Sequence, residues 1–172
     1  MKERSYGSMR MIMRAMAGGS ILTFQLSIKF MKYIDLGLPS GTKWADTNIG
    51  SFHLYEYGKL FTHEEAINLG VNIPNLSQLN ELSSCCEREW ISSKGVNGCL
   101  FKGTNGNAIF LPAAGRIEIF GEHKGEGMNG FYWATELGGI SPNMAWMLMV
   151  CDSFATTGCQ NINRRHSVRS VL

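Results

Sequence analysis

The sequence predicts an α+β domain with two early helices, antiparallel strands and long glycine-rich loops, and three observations carry that prediction. Two helix signals, each a cap followed by apolar residues at helical spacing, lie between Thr62 and Cys86, and after Trp90 the chain turns to short alternating runs broken by glycine. Twenty glycines against four prolines in 172 residues favour tight turns, without the three-residue period of collagen. With 44% apolar and 17% charged residues the chain can bury one sizeable core, and no apolar run approaches the roughly 18 residues of a membrane-spanning helix.

Residues 1–31 differ in composition from the rest of the chain. They hold six of the ten methionines (Met1, Met9, Met11, Met13, Met16, Met31) and five basic residues against Glu3, a local charge of +4 that leaves the remainder at −2. Between Thr23 and Lys29 polar residues alternate with Phe24, Leu26 and Ile28, the period of a half-buried strand. Two readings of this N-terminal extension stay open: a strand, or a leader upstream of a natural start at Met31. Ala15 to Phe24 matches a signal peptide only in part, because Gly18 and Gly19 break its apolar centre.

Residues 32–172 read as one domain. Tyr33-Ile34-Asp35 and a second run around Trp44 are separated by Pro39-Ser40-Gly41, a turn sequence, which predicts an entry hairpin. Thr62-His63-Glu64-Glu65 is a capping box: the threonine hydroxyl accepts from an early backbone N–H while Glu65 reaches back, so a helix through Ala66, Ile67 and Leu69 should stop at Gly70. Leu76, Leu79, Leu82 and Cys86 recur at helical spacing behind the cap candidates Asn75 and Ser77, which predicts a second helix. Cys99-Leu100-Phe101 and Ala108-Ile109-Phe110-Leu111 flank Gly103-Thr104-Asn105-Gly106, whose Asn-Gly pair supplies the positive φ angles of a hairpin turn. The Gly121, Gly125, Gly127 and Gly130 series predicts an irregular loop; no glycine motif there follows a strand and opens a helix, so a phosphate cradle is not expected. Strands are expected at Phe131–Thr135, Ala145–Cys151 and His166–Val171, and pairing of the first with the last would bring the ends of the domain together.

A body at −2 carries no basic stripe able to neutralise several phosphates, so nucleic acid is not an expected partner. The basic run Asn163-Arg164-Arg165-His166-Ser167-Val168-Arg169 is expected to be solvated or paired. Five cysteines, Cys85, Cys86, Cys99, Cys151 and Cys159, lack CxxC or zinc-ligand spacing, so neither a disulfide framework nor a metal is expected. Cys85 and Cys86 read as small buried hydrophobes, Cys151 and Cys159 as reactive or paired thiols. That cysteine usage favours a cytoplasmic or virion-associated protein over a secreted one. His53, His63, His123 and His166 are scattered and form no triad in chain order, and Glu118, Glu122 and Glu126 read as a solvated loop. No catalytic residue and no cofactor is assigned.

Several stretches together resemble one family. Tyr33-Ile34-Asp35-Leu36-Gly37-Leu38-Pro39-Ser40-Gly41-Thr42-Lys43-Trp44-Ala45 resembles the opening of the Fibrobacter succinogenes major paralogous domain, common in gut Bacteroidetes and their phages. Ile73-Pro74-Asn75-Leu76-Ser77-Gln78-Leu79-Asn80-Glu81-Leu82 resembles its "LPT..EW.EL" helix start, and residues 105–115 resemble its "GNSIFLPAAG" signature. Tyr132-Trp133-Ala134-Thr135 and Ser167-Val168-Arg169-Ser170-Val171 resemble its "YWSS" and "SVRPV" pieces. Asn75, Leu79 and Ser170 depart from the family's Thr, Trp and Pro, and the resemblance covers roughly residues 32–172. It implies a C-type-lectin-like fold of the formylglycine-generating-enzyme branch, in which a stable scaffold displays variable residues. Cys151 and Cys159 do not reproduce the copper-handling cysteine motif of that branch, and Ser141-Pro142-Asn143 only partly echoes the calcium-dependent sugar sites of the fold, since serine brings no carboxylate.

What remains is binding. In Ala145-Trp146-Met147-Leu148-Met149-Val150-Cys151 a period of two turns Leu148 and Val150 inward and Met147, Met149 and Cys151 to the other face. That face is either buried as well, or it is an adaptable apolar recognition patch with Trp146 as anchor, while Trp44 and Trp133 belong to the core. The expected ligand-binding residues are Trp146, Met147, Met149, Cys151, Asp152, Phe154, Thr156, Asn161 and Asn163. Some proteins of the implied fold are diversified by retroelements that mutate adenines. Cys151, Asp152, Ser153, Phe154, Thr156, Thr157, Asn161 and Asn163 are residues that such mutation of asparagine codons yields, whereas Met147, Met149 and Gln160 are not. The expected protein is a non-enzymatic display domain that binds a protein or glycan on a cell or virion surface, with oligomerisation open. A fibre or adhesin component without a specific ligand, and a copper oxidase, are the alternatives.

Overall fold

The computed structural model describes residues 8–17 and 20–29 by their backbone, and residues 31–139 and 141–172 throughout. The chain divides into two compact units, 1–31 and 32–172. In the first, β1 (Ser8–Ala17) pairs antiparallel with β2 (Ser20–Lys29), Met13 standing opposite Phe24. The strand expected from Thr23 is therefore one arm of a hairpin.

The second unit is mixed α+β, mostly sheet. Its entry hairpin forms as the sequence predicts: β3 (Tyr33–Asp35) pairs with β4 (Lys43–Ala45), and the Gly41 N–H closes the turn on the Leu38 carbonyl at 2.9 Å. The capping box of Thr62 and Glu65 starts α1 (His63–Ile67), and a second box between Asn75 and Gln78 starts α2 (Leu76–Cys85). Beyond α1, Gly70 sits at φ +72°, a conformation that ends the turn without the cost a Cβ would bring.

A three-stranded sheet comes next, β5 (Glu87–Ser93), β6 (Val96–Lys102) and β7 (Ala108–Pro112), in that order. The β6–β7 hairpin lies where Asn105-Gly106 predicts it, but of that pair only Gly106 takes a positive φ, +82°, and its N–H closes the turn on the Gly103 carbonyl at 3.0 Å. The β5–β6 hairpin turns on Lys94 and Gly95, at φ 51° and 79°, so Lys94 is the one non-glycine residue with positive φ among those described. The predicted irregular loop is instead largely a further hairpin, β8 (Ala114–Ile117) with β9 (His123–Glu126); glycines supply its turns rather than dissolving it.

β10 (Gly130–Leu137), β11 (Met144–Val150) and β12 (Ala155–Asn161) complete a five-stranded sheet in the order β12-β11-β10-β8-β9. Pairing is antiparallel except where Gly130 meets Gly115 in parallel. The strand expected at His166–Val171 does not form. Residues 165–171 bond one after another to different elements: Arg165 to Ile117, His166 to Phe61, Ser167 to Phe131 and Trp133, Ser170 to Ala45, Val171 to Asn72. The last of these exchanges, Leu172 with Lys43, does bring the end of the domain to its opening hairpin.

Strands β10 and β11 are covered on both faces. One face packs Tyr132, Ala134, Leu148 and Val150 against Leu79 and Leu82 of α2 and against Cys99, Phe101, Ile109 and Leu111 of the smaller sheet. The other packs Phe131, Trp133, Ala145 and Met147 against Ala66 of α1, Ile73 and Val168. Trp44 and Trp133 are core residues, 1% and 0% exposed.

Candidate functional site

The turn between β11 and β12 is built by backbone and by one cation. Cys151 N–H donates to the Phe154 carbonyl at 2.9 Å, closing residues 151–154. The Arg88 guanidinium, reaching from β5, donates to the carbonyls of Cys151 (2.9 Å), Asp152 (3.0 Å) and Ser153 (2.9 Å). Three charge-assisted bonds to consecutive carbonyls hold the turn in one shape. Beside it opens a cleft of about 320 Å³, lined by Trp90, Met128, Asn129, Met149, Cys151, Asp152 and Phe154, with Gly127 at its edge. Its walls are aromatic rings and thioethers; its polar groups are the Asn129 amide and the Asp152 carboxylate, to which Ser153 Oγ donates at 2.8 Å. Phe154 and Met128 stand 45% and 69% exposed.

The residues expected to bind divide into three sets. Met149, Cys151, Asp152 and Phe154 line the cleft, and Thr156, exposed and opposite Met149 in the ladder, continues its edge. Met147 is corrected: it is 4% exposed and belongs to the core under α1. The period of two is right and the alternation of faces holds, but the second face meets Ala66, Ile73 and Val168 instead of solvent. Cys151 is corrected in part, since it touches the cleft but is 7% exposed.

Trp146, Asn161 and Asn163 lie away from the turn. Trp146 is half-buried against the core, its indole so close to Gly138 that no Cβ would fit there. Asn161 faces Met144 at the far end of the ladder, about 20 Å of strand from the turn, and its Oδ1 accepts from Asn163 N–H at 3.0 Å. These three therefore do not share the cleft.

All five cysteines are free thiols. Cys159 pairs across the ladder with Trp146, so about 16 Å of strand separates it from Cys151. Cys99 is buried, and that burial pushes its thiol up to about 11. Cys85 is exposed, against the expectation of burial, while Cys86 is half-buried and its thiol is raised to about 11, chiefly by burial. Among the described residues no three His, Cys, Asp or Glu side chains are placed to hold a metal ion.

The basic run near the C-terminus is paired. Arg164 and Arg116 both contact the Glu118 carboxylate at 2.7 Å, and Arg165 contacts Glu65 at 2.6 Å. Glu118 is thus no solvated loop residue; burial opposes its charge, but the two guanidinium groups hold it below its ordinary range. Arg169 is 1% exposed and donates to Asn48 Oδ1 (3.0 Å) and to the carbonyls of Ala45 (2.8 Å) and Phe110 (2.7 Å). His166 is fully buried, stacked on Trp133 at 4.0 Å and Phe131 at 5.2 Å, with neither ring nitrogen hydrogen-bonded. Burial, and then Arg116 and Arg164, hold it well below the usual histidine range.

A second hollow, about 630 Å³, lies between α1 and Arg165, lined by Lys59, Leu60, Phe61, Glu64, Glu65, Asn68 and Leu69. It is larger, but Arg165 and Glu65 satisfy each other across it and Glu65 also caps α1, so these two charges are spent on structure.

Compared with family models, with curated proteins and with solved structures, the chain matches none of them. Among the described residues no helix is long and apolar enough to cross a membrane.

The sequence reading missed Arg88, Trp90, Met128 and Asn129. The β-favouring pair Trp90-Ile91, ahead of the turn residues Lys94-Gly95, is the signal that would have found β5 and with it the clamp and one wall of the cleft. Met128 and Asn129 have no such signal; only the β8–β9 hairpin brings them to the turn.

Proposed function

We propose that residues 32–172 form a non-enzymatic binding domain of C-type-lectin-like type, which recognises a protein or glycan at the cleft beside the β11–β12 turn. The observation that carries this is the pairing of an open, aromatic and thioether-lined cleft with a turn fixed by Arg88: apolar walls supply contact energy, and a pre-set backbone lowers the ordering cost of binding. Of the codon-compatible positions, Asp152, Ser153, Phe154, Thr156 and Asn163 are exposed, which supports a display surface whose residues can change without disturbing the core. Diversification by a retroelement is part of the proposal. A near-copy of the codons for residues 133–172, differing at adenines and lying near a reverse-transcriptase gene, would be its genetic signature.

The test is a glycan and cell-surface binding screen of the full chain beside two variants. Phe154→Ala removes an exposed cleft wall and should abolish binding while leaving urea unfolding within about 0.5 kcal/mol of wild type. Met147→Ala empties a core position and should cost about 2 to 4 kcal/mol of stability, with binding retained at temperatures where it stays folded. A screen empty in every lane for a folded protein favours the fibre or adhesin component; retained binding by Phe154→Ala moves the site elsewhere.

A further inference from the structure

The β8–β9 hairpin ends in a turn that holds two apolar side chains in water. Phe120 is 99% exposed and its neighbour Ile119 49%. The turn is firm: Glu118 N–H donates to the Glu122 carbonyl at 2.8 Å, Gly121 N–H to the Glu118 carbonyl at 2.9 Å, and the Glu118 carboxylate is gripped by Arg116 and Arg164. Its remaining charges neutralise each other, Lys124 meeting Glu122 at 2.9 Å. A fully exposed phenylalanine on a flexible loop would be unremarked, but one fixed on a braced, locally neutral tip loses little freedom when it docks.

The same chain carries an opening with room for one aromatic ring, the 320 Å³ cleft walled by Trp90, Met128, Met149 and Phe154. Knob and hole lie at opposite ends of β9. Phe120 precedes that strand and Gly127, Met128 and Asn129 come after it, with about 13 Å of extended chain between, so the hairpin cannot fold its own tip into its own cleft. A second molecule has no such restriction. We propose that Phe120 of one copy of this chain docks into the β11–β12 cleft of another. The contact is head-to-tail, not two-fold: a docked pair keeps one free knob on one copy and one free hole on the other, so association continues to a closed ring or an open filament. It uses the cleft of the proposed ligand site, so ligand and neighbouring copy compete for one place.

Mixing distinguishes this contact from any other form of self-association. Phe120→Ser keeps the hole and loses the knob; Met128→Glu keeps the knob and sets a charge in the hole, at a side chain 69% exposed and therefore safe for folding. By analytical ultracentrifugation of full chains, each variant alone should associate at least tenfold more weakly than wild type. An equimolar mixture should form one-to-one dimers and stop there. In parallel, a cyclised peptide of residues 116–124 should shift the methyl signals of Met128 and Met149 in the Phe120→Ser protein, and the same peptide carrying Phe120→Ala should not. A mixture no more associated than its components, or a peptide that leaves both methyl signals in place, overturns the contact. Neither result touches the ligand reading, which is decided by whether Phe154→Ala abolishes binding in the screen.

Discussion

Arg88 and Arg169 perform the same operation in two surroundings. Each spreads one guanidinium over three oxygens, Arg88 on the carbonyls of the 151–154 turn and Arg169 on Ala45, Phe110 and Asn48. Arg169 is sealed, its pKa lowered to about 10 by burial against the favourable influence of Tyr132 and Asp46, and it still carries its proton near neutrality. Arg88 is half-buried at the rim of an open cleft. The difference teaches that one chemical device serves cohesion where water is excluded and site geometry where it is not.

The largest expected effect breaks the buried member of the pair. Arg169→Met fills similar volume but leaves two backbone carbonyls and Asn48 Oδ1 without donors, at roughly 1 to 3 kcal/mol each. A loss upwards of about 3 kcal/mol in urea unfolding is expected, and a loss under about 1 kcal/mol would mean that water replaces the donor. Arg165→Ala, at an exposed ion pair with Glu65, should by contrast stay within about 1 kcal/mol.

The next effect sharpens the same contrast through pH. His166 faces Arg116 of β8 and Arg164 of its own segment, with Glu118 between those two cations, and it stacks on Phe131 and Trp133 of β10, where His63 of α1 lies edge-on to Trp133. Its folded-state pKa lies below the ordinary histidine value of about 6.5, so the unfolded chain takes up the proton first. Stability is therefore full above pH 6.5 and falls as pH drops below it, by up to about 1.4 kcal/mol per pH unit for this group. His63, lowered chiefly by burial, adds in the same direction. His166→Phe, measured by urea unfolding at pH 7.5 and pH 5, should flatten this slope; an unchanged slope would assign the acid sensitivity to His63 instead.

How far the sequence foretold this arrangement depends on how local each cause is. The Thr62–Glu65 capping box, the cap at Asn75 and the turn at Asn105-Gly106 act within four residues, and each is found where the sequence puts it, while the reciprocal bond between Asn75 N–H and the Gln78 side chain is seen only in the structure. The period of two in β11 separates the faces correctly, yet says nothing of what lies across from them, so Met147 could be read as displayed when Ala66 and Ile73 cover it. Residues 165–171 are least legible. Their alternation resembles a strand, but each residue finds a different and distant partner, from Ile117 to Asn72, and no local pattern encodes six separate non-local bonds. The uncharged run of β12, Ala155–Asn161, carries no apolar alternation and is interrupted by Gly158, so no local pattern marks it as a strand before it pairs with β11. Half of the cleft was accessible from the sequence, Met149 and Cys151 by the period of two and Asp152 and Phe154 by codon compatibility, while Trp90, Gly127, Met128 and Asn129 arrive by tertiary folding.

Of the two three-oxygen clamps the smaller effect on stability is expected at Arg88, and it is the one that tests whether the rim arginine acts on the site. Arg88→Lys keeps the charge and most of the stem but replaces a planar fork with a point donor, which cannot serve three successive carbonyls with the same geometry. Those carbonyls border solvent, so water can take over the bonds that are lost, and unfolding free energy should fall by only about 1 kcal/mol. The turn, no longer tied at three points, should sample more conformations and bind with a correspondingly lower affinity. Methyl NMR of Met149, one residue from the turn strand's end, should broaden in Arg88→Lys while the buried Met147 methyl stays unchanged. If Met147 broadens as well, Arg88 belongs with Arg169 among the clamps of the core, and the separation between the two arginines disappears.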